Sequence, residues 1–167
     1  MHDAVFDTGP LIHLHEIEQL KIITAIFKSI QIPEQVIREI TNAPILSFIQ
    51  QHSTKIAIQP VSEPELFVTK DAFSNFRLHL ADLAVLTLLK INIEAVAVTD
   101  DLALRKAVES SGRTVVGTIG LLFRAKTLQL IDKIQLMHLI NQVFDDSTLY
   151  LNSAFKSRVL IMVDSLE

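Results

Sequence analysis

Apolar and polar positions fall into blocks along the chain, and the blocks predict strands alternating with helices. Residues 4–6 are a short apolar run that stops at Asp7, the pattern of a strand buried on both faces. Pro10, Leu11 and Ile12 open a helix expected over residues 10–27. Residues 29–32 read as a brief extended segment. Pro33 then stands where a first-turn proline fits, so residues 34–40 are expected to be a short helix. Residues 55–61 read as a strand with Pro60 near its end, and residues 67–76 show no decisive period. Residues 78–91 have the period of a helix, with Leu83, Leu86 and Leu89 on it. Residues 95–98 are another fully apolar strand bounded by acids. The next helix, capped by Thr99 or Asp100, runs through Ser110 and ends at Gly112. A strand over residues 114–116 turns at Gly117 and Thr118 into a helix through Lys126. Helices over residues 131–144 and 153–163 complete the chain.

This alternation implies a parallel sheet with helices on both faces. In such sheets ligands bind outside the carboxyl ends of the strands. Asp7 follows the first strand and the Asp100–Asp101 pair follows the strand over residues 95–98, so topology alone puts both on that edge. No linker, repeat or low-complexity segment divides the chain, and its 167 residues suit one domain with a real core.

Composition narrows the function classes. With 49% hydrophobic and 20% charged residues the chain is globular, and with nine Phe, one Tyr and no Trp its core is aliphatic. It has no Cys, which excludes disulfides and thiolate metal sites and fits a cytoplasmic protein. No apolar run approaches the ~20 residues needed to span a bilayer. His2 and Asp3 stand where a signal peptide carries its basic region. The net charge of −4 argues against a protein that coats nucleic acid by charge alone, and leaves room for an enzyme whose acids are neutralised by metal.

Four acidic spots interrupt or end apolar runs: Asp7, Glu39, Asp82 and the Asp100–Asp101 pair. Acids in apolar surroundings are costly to bury without compensation. Gathered at one edge they would repel one another unless a cation were present. Oxygen ligands of this kind suit Mg²⁺ or Mn²⁺, which points to metal-dependent chemistry on phosphate. One of Asp100 and Asp101 is expected to cap the following helix and the other to be a ligand; the residues leave open which. Arg105, Lys106 and Arg124 follow the fourth spot and are candidates for phosphate contact. His13 and His15, two apart on a helix, point to different faces and read as surface histidines.

The same residues carry a resemblance. Asp7-Thr8-Gly9-Pro10-Leu11-Ile12 looks like the opening of PIN domains, and Ile32-Pro33 through Glu39-Ile40 resembles their second motif. Leu80-Ala81-Asp82-Leu83 is similar to the third, where Ala81-Asp82 replaces the common Gly-Glu, and Val98-Thr99-Asp100-Asp101 to the fourth. The stretch from Val116-Gly117-Thr118 to Lys126 closely resembles one prokaryotic subgroup of predicted nucleic-acid-binding proteins related to VapC-type toxins. The resemblance implies a PIN-like three-layer α/β/α domain with a central parallel sheet over residues 1–167, its last part, from about 150, a C-terminal helical extension. It implies a Mg²⁺- or Mn²⁺-dependent ribonuclease with Asp7, Glu39, Asp82, Asp100 and Asp101 as the ligand set, supported by Thr8 and Thr99. RNA is the implied substrate and a small antitoxin the implied partner.

Two features bear on partners and rivals. The consecutive Val159, Leu160, Ile161 and Met162 cover more than one face of a helix, which predicts a homodimer. A Mg-dependent phosphatase of the haloacid dehalogenase type needs a second Asp two residues after the first, and Gly9 holds that place. A receiver needs an acidic pair beside strand one, where only Asp7 lies. The non-enzyme alternative is a PIN fold kept as a nucleic-acid- or protein-binding module.

Overall fold

The apolar runs form the centre of the molecule. In the computed structural model, which describes residues 2–166, β1 (Asp3–Phe6) is followed by α1 (Thr8–Glu16) and α2 (Ile22–Ile26). Next come β2 (Ser29–Pro33), α3 (Glu34–Glu39), α4 (Ala43–Gln51), β3 (Ile56–Gln59), α5 (Glu63–Ala72) and α6 (Leu80–Ile91). Then β4 (Val96–Val98), α7 (Leu102–Ser110), β5 (Val115–Val116), α8 (Thr118–Thr127), α9 (Lys133–Asp145) and α10 (Ser153–Asp164) complete it.

The five strands pair in parallel in the order β3-β2-β1-β4-β5, with helices on both sides, giving the expected three layers. Ala4, Val5 and Phe6 pair with Val96, Ala97 and Val98, and all are buried. Continuous burial is why these strands are uninterrupted apolar runs and not alternating ones. Chain connections leave β1 for β2 on one side and return to β4 on the other. The crevice between β1 and β4 is therefore the switch point of the sheet.

One expectation needs correction, and two helices went unread in the pattern. The helix expected over residues 10–27 is two helices, α1 and α2, because Glu18 takes a left-handed conformation (φ 57°) that interrupts it. The break lets Ile17, Leu20, Ile23 and Ile26 all reach the core. The undecided stretch over residues 67–76 belongs mostly to α5, which begins earlier: the Glu65 carboxylate accepts from the Ser62 amide and closes a capping box. A further helix, α4, lies where no element was expected. Asn42 caps it through the Ile45 amide, and it buries Ile45 and Ile49, one turn apart. At the other end of the chain, α9 packs on α8 and α10 packs on α9. Lys133 donates to the carbonyls of Asp164 (2.9 Å) and Leu166 (2.6 Å), and Glu16 accepts from the amide and hydroxyl of Thr148.

Candidate active site

Three of the acids stand in the first turn of a helix, or just before it, and this is how the fold tolerates them together. Asp7 caps α1, accepting from the Thr8 amide at 2.7 Å. Asp82 is in the first turn of α6 and accepts from the His79 amide at 2.7 Å. Asp101 caps α7 through the Leu104 amide at 2.8 Å. The cap is thus Asp101, one of the two aspartates expected to share that role, and neither Thr99 nor Asp100. A helix N-terminus carries a partial positive charge, so each carboxylate has a local counter-dipole. Glu39, at the end of α3, joins them through Thr8, whose hydroxyl donates to Glu39 Oε2 at 2.6 Å.

Thr99 fastens the β1 and β4 ends to each other. Its hydroxyl donates to Asp7 Oδ2 at 2.7 Å and accepts from the Asp101 amide at 3.0 Å. The two threonines beside the acids therefore serve as hydroxyl donors that hold carboxylates in place.

The acids feel one another. Asp7 is 7% exposed, and burial pushes its carboxyl up from 3.8 to about 6. The Thr99 hydroxyl and the Thr8 amide work against that rise; the negative charges of Asp82 and Glu39 add to it. Asp82 is also raised, first by burial, then by the charges of Asp101 and Glu39, against the opposing His79 amide. Asp7, Glu39, Asp82 and Asp101 thus form one electrostatically connected set. Asp100 is placed differently. It accepts from the Thr118 amide (2.8 Å) and hydroxyl (2.6 Å) and meets His13 Nδ1 at 2.8 Å.

A family model completes the assignment: DUF3368, a PIN domain, matches residues 3–165. The chain is a PIN domain. No curated protein shows a significant match to it. PIN domains are generally nucleases, which places this PIN domain at the coarse level among hydrolases.

The donor set fits the divalent cation such domains generally use. All four connected groups offer hard carboxylate oxygens, and their mutual repulsion is what a cation relieves. Asp7, Glu39, Asp82 and Asp101 are the residues of this PIN domain that would hold it. Among the described residues, no three acidic or histidine side chains already converge in a chelating arrangement, because each carboxylate is turned to a helix amide or a hydroxyl.

The basic candidates separate. Arg105 donates to the Thr99 carbonyl at 3.3 Å and so braces the β4 end, and Lys106 is exposed on α7. Arg124 lies over the Phe27 ring, 5.9 Å from its centroid. It is six residues along α8 from Thr118. His13, read as a surface residue, is largely buried, its side chain only 12% exposed, and is part of the site's surroundings. The usable signal was its place one helical turn beyond Gly9, on the face that carries the Asp7–Gly9 turn.

Proposed function

We propose that this PIN domain is a Mg²⁺- or Mn²⁺-dependent endoribonuclease that hydrolyses phosphodiester bonds in single-stranded or structured RNA. The observation that carries the reading is Asp7, at the switch point of a parallel sheet, buried, pushed up to about 6, and within electrostatic reach of Glu39 and Asp82. A fourth carboxylate comes from the turn after β4. When bound, a divalent cation supplies Lewis acidity, lowering the pKa of a water and offsetting charge that develops on the phosphate. The chain's own part is to present ionised carboxylates as ligands, not as nucleophiles. Thr8 and Thr99 orient Glu39 and Asp7, and Lys106 with Arg105 offers positive charge to the backbone of the substrate.

The domain acts in the cytoplasm as a homodimer, and a small antitoxin is its regulatory partner, as the likeness to VapC-type toxins implies. Cleavage of a mixed RNA by purified protein tests the reading. Product is expected with Mn²⁺ and none with EDTA, and Asp7→Asn is expected to lower the rate by about 10²-fold or more. Equal cleavage in EDTA, or a fully active Asp7→Asn, overturns it. A folded protein that binds RNA and never cuts it is instead a binding module.

A further inference from the structure

We propose that two exposed leucines beside the acids, Leu80 and Leu102, form an apolar rim that grips the unpaired nucleotides flanking the scissile phosphate. The inference rests on the ribonuclease reading above. It deepens that reading by naming side chains that recognise the substrate other than by its charge.

Both leucines depart from the pattern of their own helix. Leu80 is the first residue of α6 and is 57% exposed, whereas every residue from Ala81 to Leu89 is buried. Leu102 is the first residue of α7 and is 62% exposed. That helix buries Leu104, Ala107 and Val108. Leu102 lies on its solvent face, one turn before the exposed Lys106. Neither leucine is part of the core, so packing accounts for neither. Single exposed leucines are ordinary; what sets these two apart is their position. Leu80 stands two residues before Asp82 and Leu102 directly after Asp101, and those two carboxylates are near enough for their charges to interact. Side chains in the first turn of a helix tilt toward its N-terminus. Both leucines therefore lean toward the carboxyl edge of the sheet, where Thr99 joins Asp7 to the Asp101 turn. Glu39 and Asp101 are exposed, so a strand in solvent can reach this edge.

A phosphodiester held at the acids brings one nucleoside to each side of the site. The acids themselves repel the charge of the strand, so other side chains must hold the nucleosides. Aliphatic side chains suit the faces of bases and riboses, since contact removes apolar area of both partners from water. In a duplex the base faces are stacked and paired; only an unpaired nucleotide can turn its base toward a leucine. Cations continue the track on both arms. Lys106 is one turn from Leu102, a rise of about 6 Å along α7, and so meets the next phosphate of a strand whose base rests on Leu102. Arg77, exposed three residues before Leu80, is the corresponding cation beside α6. Such phosphate contacts position the strand, and the leucines supply the preference for bases that are free.

The test measures binding of a labelled single-stranded oligoribonucleotide to the full chain by fluorescence anisotropy, with Ca²⁺ in place of Mn²⁺ so that binding is read without turnover. It is repeated with a strand of equal length that lacks its bases. Leu80→Ala and Leu102→Ala are each expected to weaken binding of the normal strand about three- to tenfold and of the abasic strand by less than about twofold. Their Tm should stay within about 2 °C of the parent, because neither side chain is in the core. Leu102→Met, apolar and of similar size, should keep the parent affinity. Lys106→Ala should weaken both strands alike and flatten the slope of log affinity against log salt by about 0.7, a change that Leu102→Ala does not produce. Parent-like affinity in both alanine variants, or an equal loss on the abasic strand, overturns the rim even where the parent cuts RNA. Unchanged RNA affinity with an altered mass in solution overturns it in favour of a protein partner at these leucines. A parent that neither binds nor cuts RNA overturns the ribonuclease reading itself, and the rim with it.

Discussion

Asp7 carries opposite consequences for stability and for chemistry. Its carboxyl titrates at about 6 in the folded protein against 3.8 when free, so the folded state holds the proton more tightly. Stability from this group is fully present below about pH 4 and is lost as pH rises through 6. At neutral pH the ionised, buried Asp7 costs up to about 3 kcal/mol, the size of that shift at 1.36 kcal/mol per unit. Asp7→Asn has no such titration. Urea unfolding in EDTA at pH 4 and pH 7.5 should show the parent losing roughly 2–3 kcal/mol relative to Asp7→Asn across that range. A constant difference between the two proteins contradicts the burial account. The residue that makes the site acidic was legible in the sequence, because an Asp at the end of a fully apolar strand has few structural excuses. His13 was legible only as a residue on the face of the Asp7–Gly9 turn: nothing local shows that its partner, 87 positions away, closes on its ring. Gly117 belongs to the same class. Gly117→Ala should destabilise by about 1–3 kcal/mol by pushing Asp100 and Arg105 aside, measured as a lower urea midpoint with unchanged m-value.

At the scale of elements, pattern and structure agree where packing follows one rule and part where a single residue decides. The strands β1 and β4 and the helix α6 were readable because burial on both faces leaves an unmistakable apolar run. The break between α1 and α2 hangs on Glu18, a residue with no special tendency toward positive φ, so the apolar period carried straight across it. For α4 the signal was present in Asn42 and Pro44, a cap and a first-turn proline, before a short apolar stripe. Helix α6 also holds a polar seam that its apolar period hides. Lys90 donates to Thr69, the Thr69 and Thr87 hydroxyls share a bond of 2.8 Å, and Thr87 donates to the Leu83 carbonyl. With Thr87 donating to the carbonyl, Thr69 supplies the hydrogen between the two hydroxyls. Thr87→Val removes its acceptor and leaves a buried donor unpaired, expected to cost about 1–3 kcal/mol. Denaturant titration measures it, and no loss of stability would mean that the seam contributes nothing to the packing of α5 on α6. Because α6 positions Asp82, the same variant should also weaken Mn²⁺ binding if the seam sets the helix's register.

Across the whole molecule, the alternation of strands and helices was enough to put the acids after β1 and β4 on one edge, since all strands of a parallel sheet end on the same side. It was not enough to show how the chain disposes of its apolar surface. The last helix settles which of its faces is used inside the subunit: Val159 and Val163, one turn apart, are buried, whereas Ile161 is 68% and Met162 54% exposed. The helix is therefore packed on one side and not wedged between two. Ile134 on the neighbouring α9 is 81% exposed, so apolar surface is displayed on both helices of the C-terminal layer. Exposed apolar side chains are ordinary singly; gathered on paired helices they favour a second subunit, and a two-fold interface is the commonest arrangement. Light scattering at micromolar concentration is expected to give twice the 18.7 kDa of one chain. Replacing Ile161 and Met162 together by Lys should leave the fold intact, because neither is part of the core, and should return the mass to that of a monomer. A parent protein that is already monomeric refutes the homodimer. A dimer that survives the double substitution puts the interface elsewhere on the surface. If the parent is monomeric and its mass rises only with a small antitoxin, the exposed face of α10 belongs to that partner, and the same double substitution should abolish the complex.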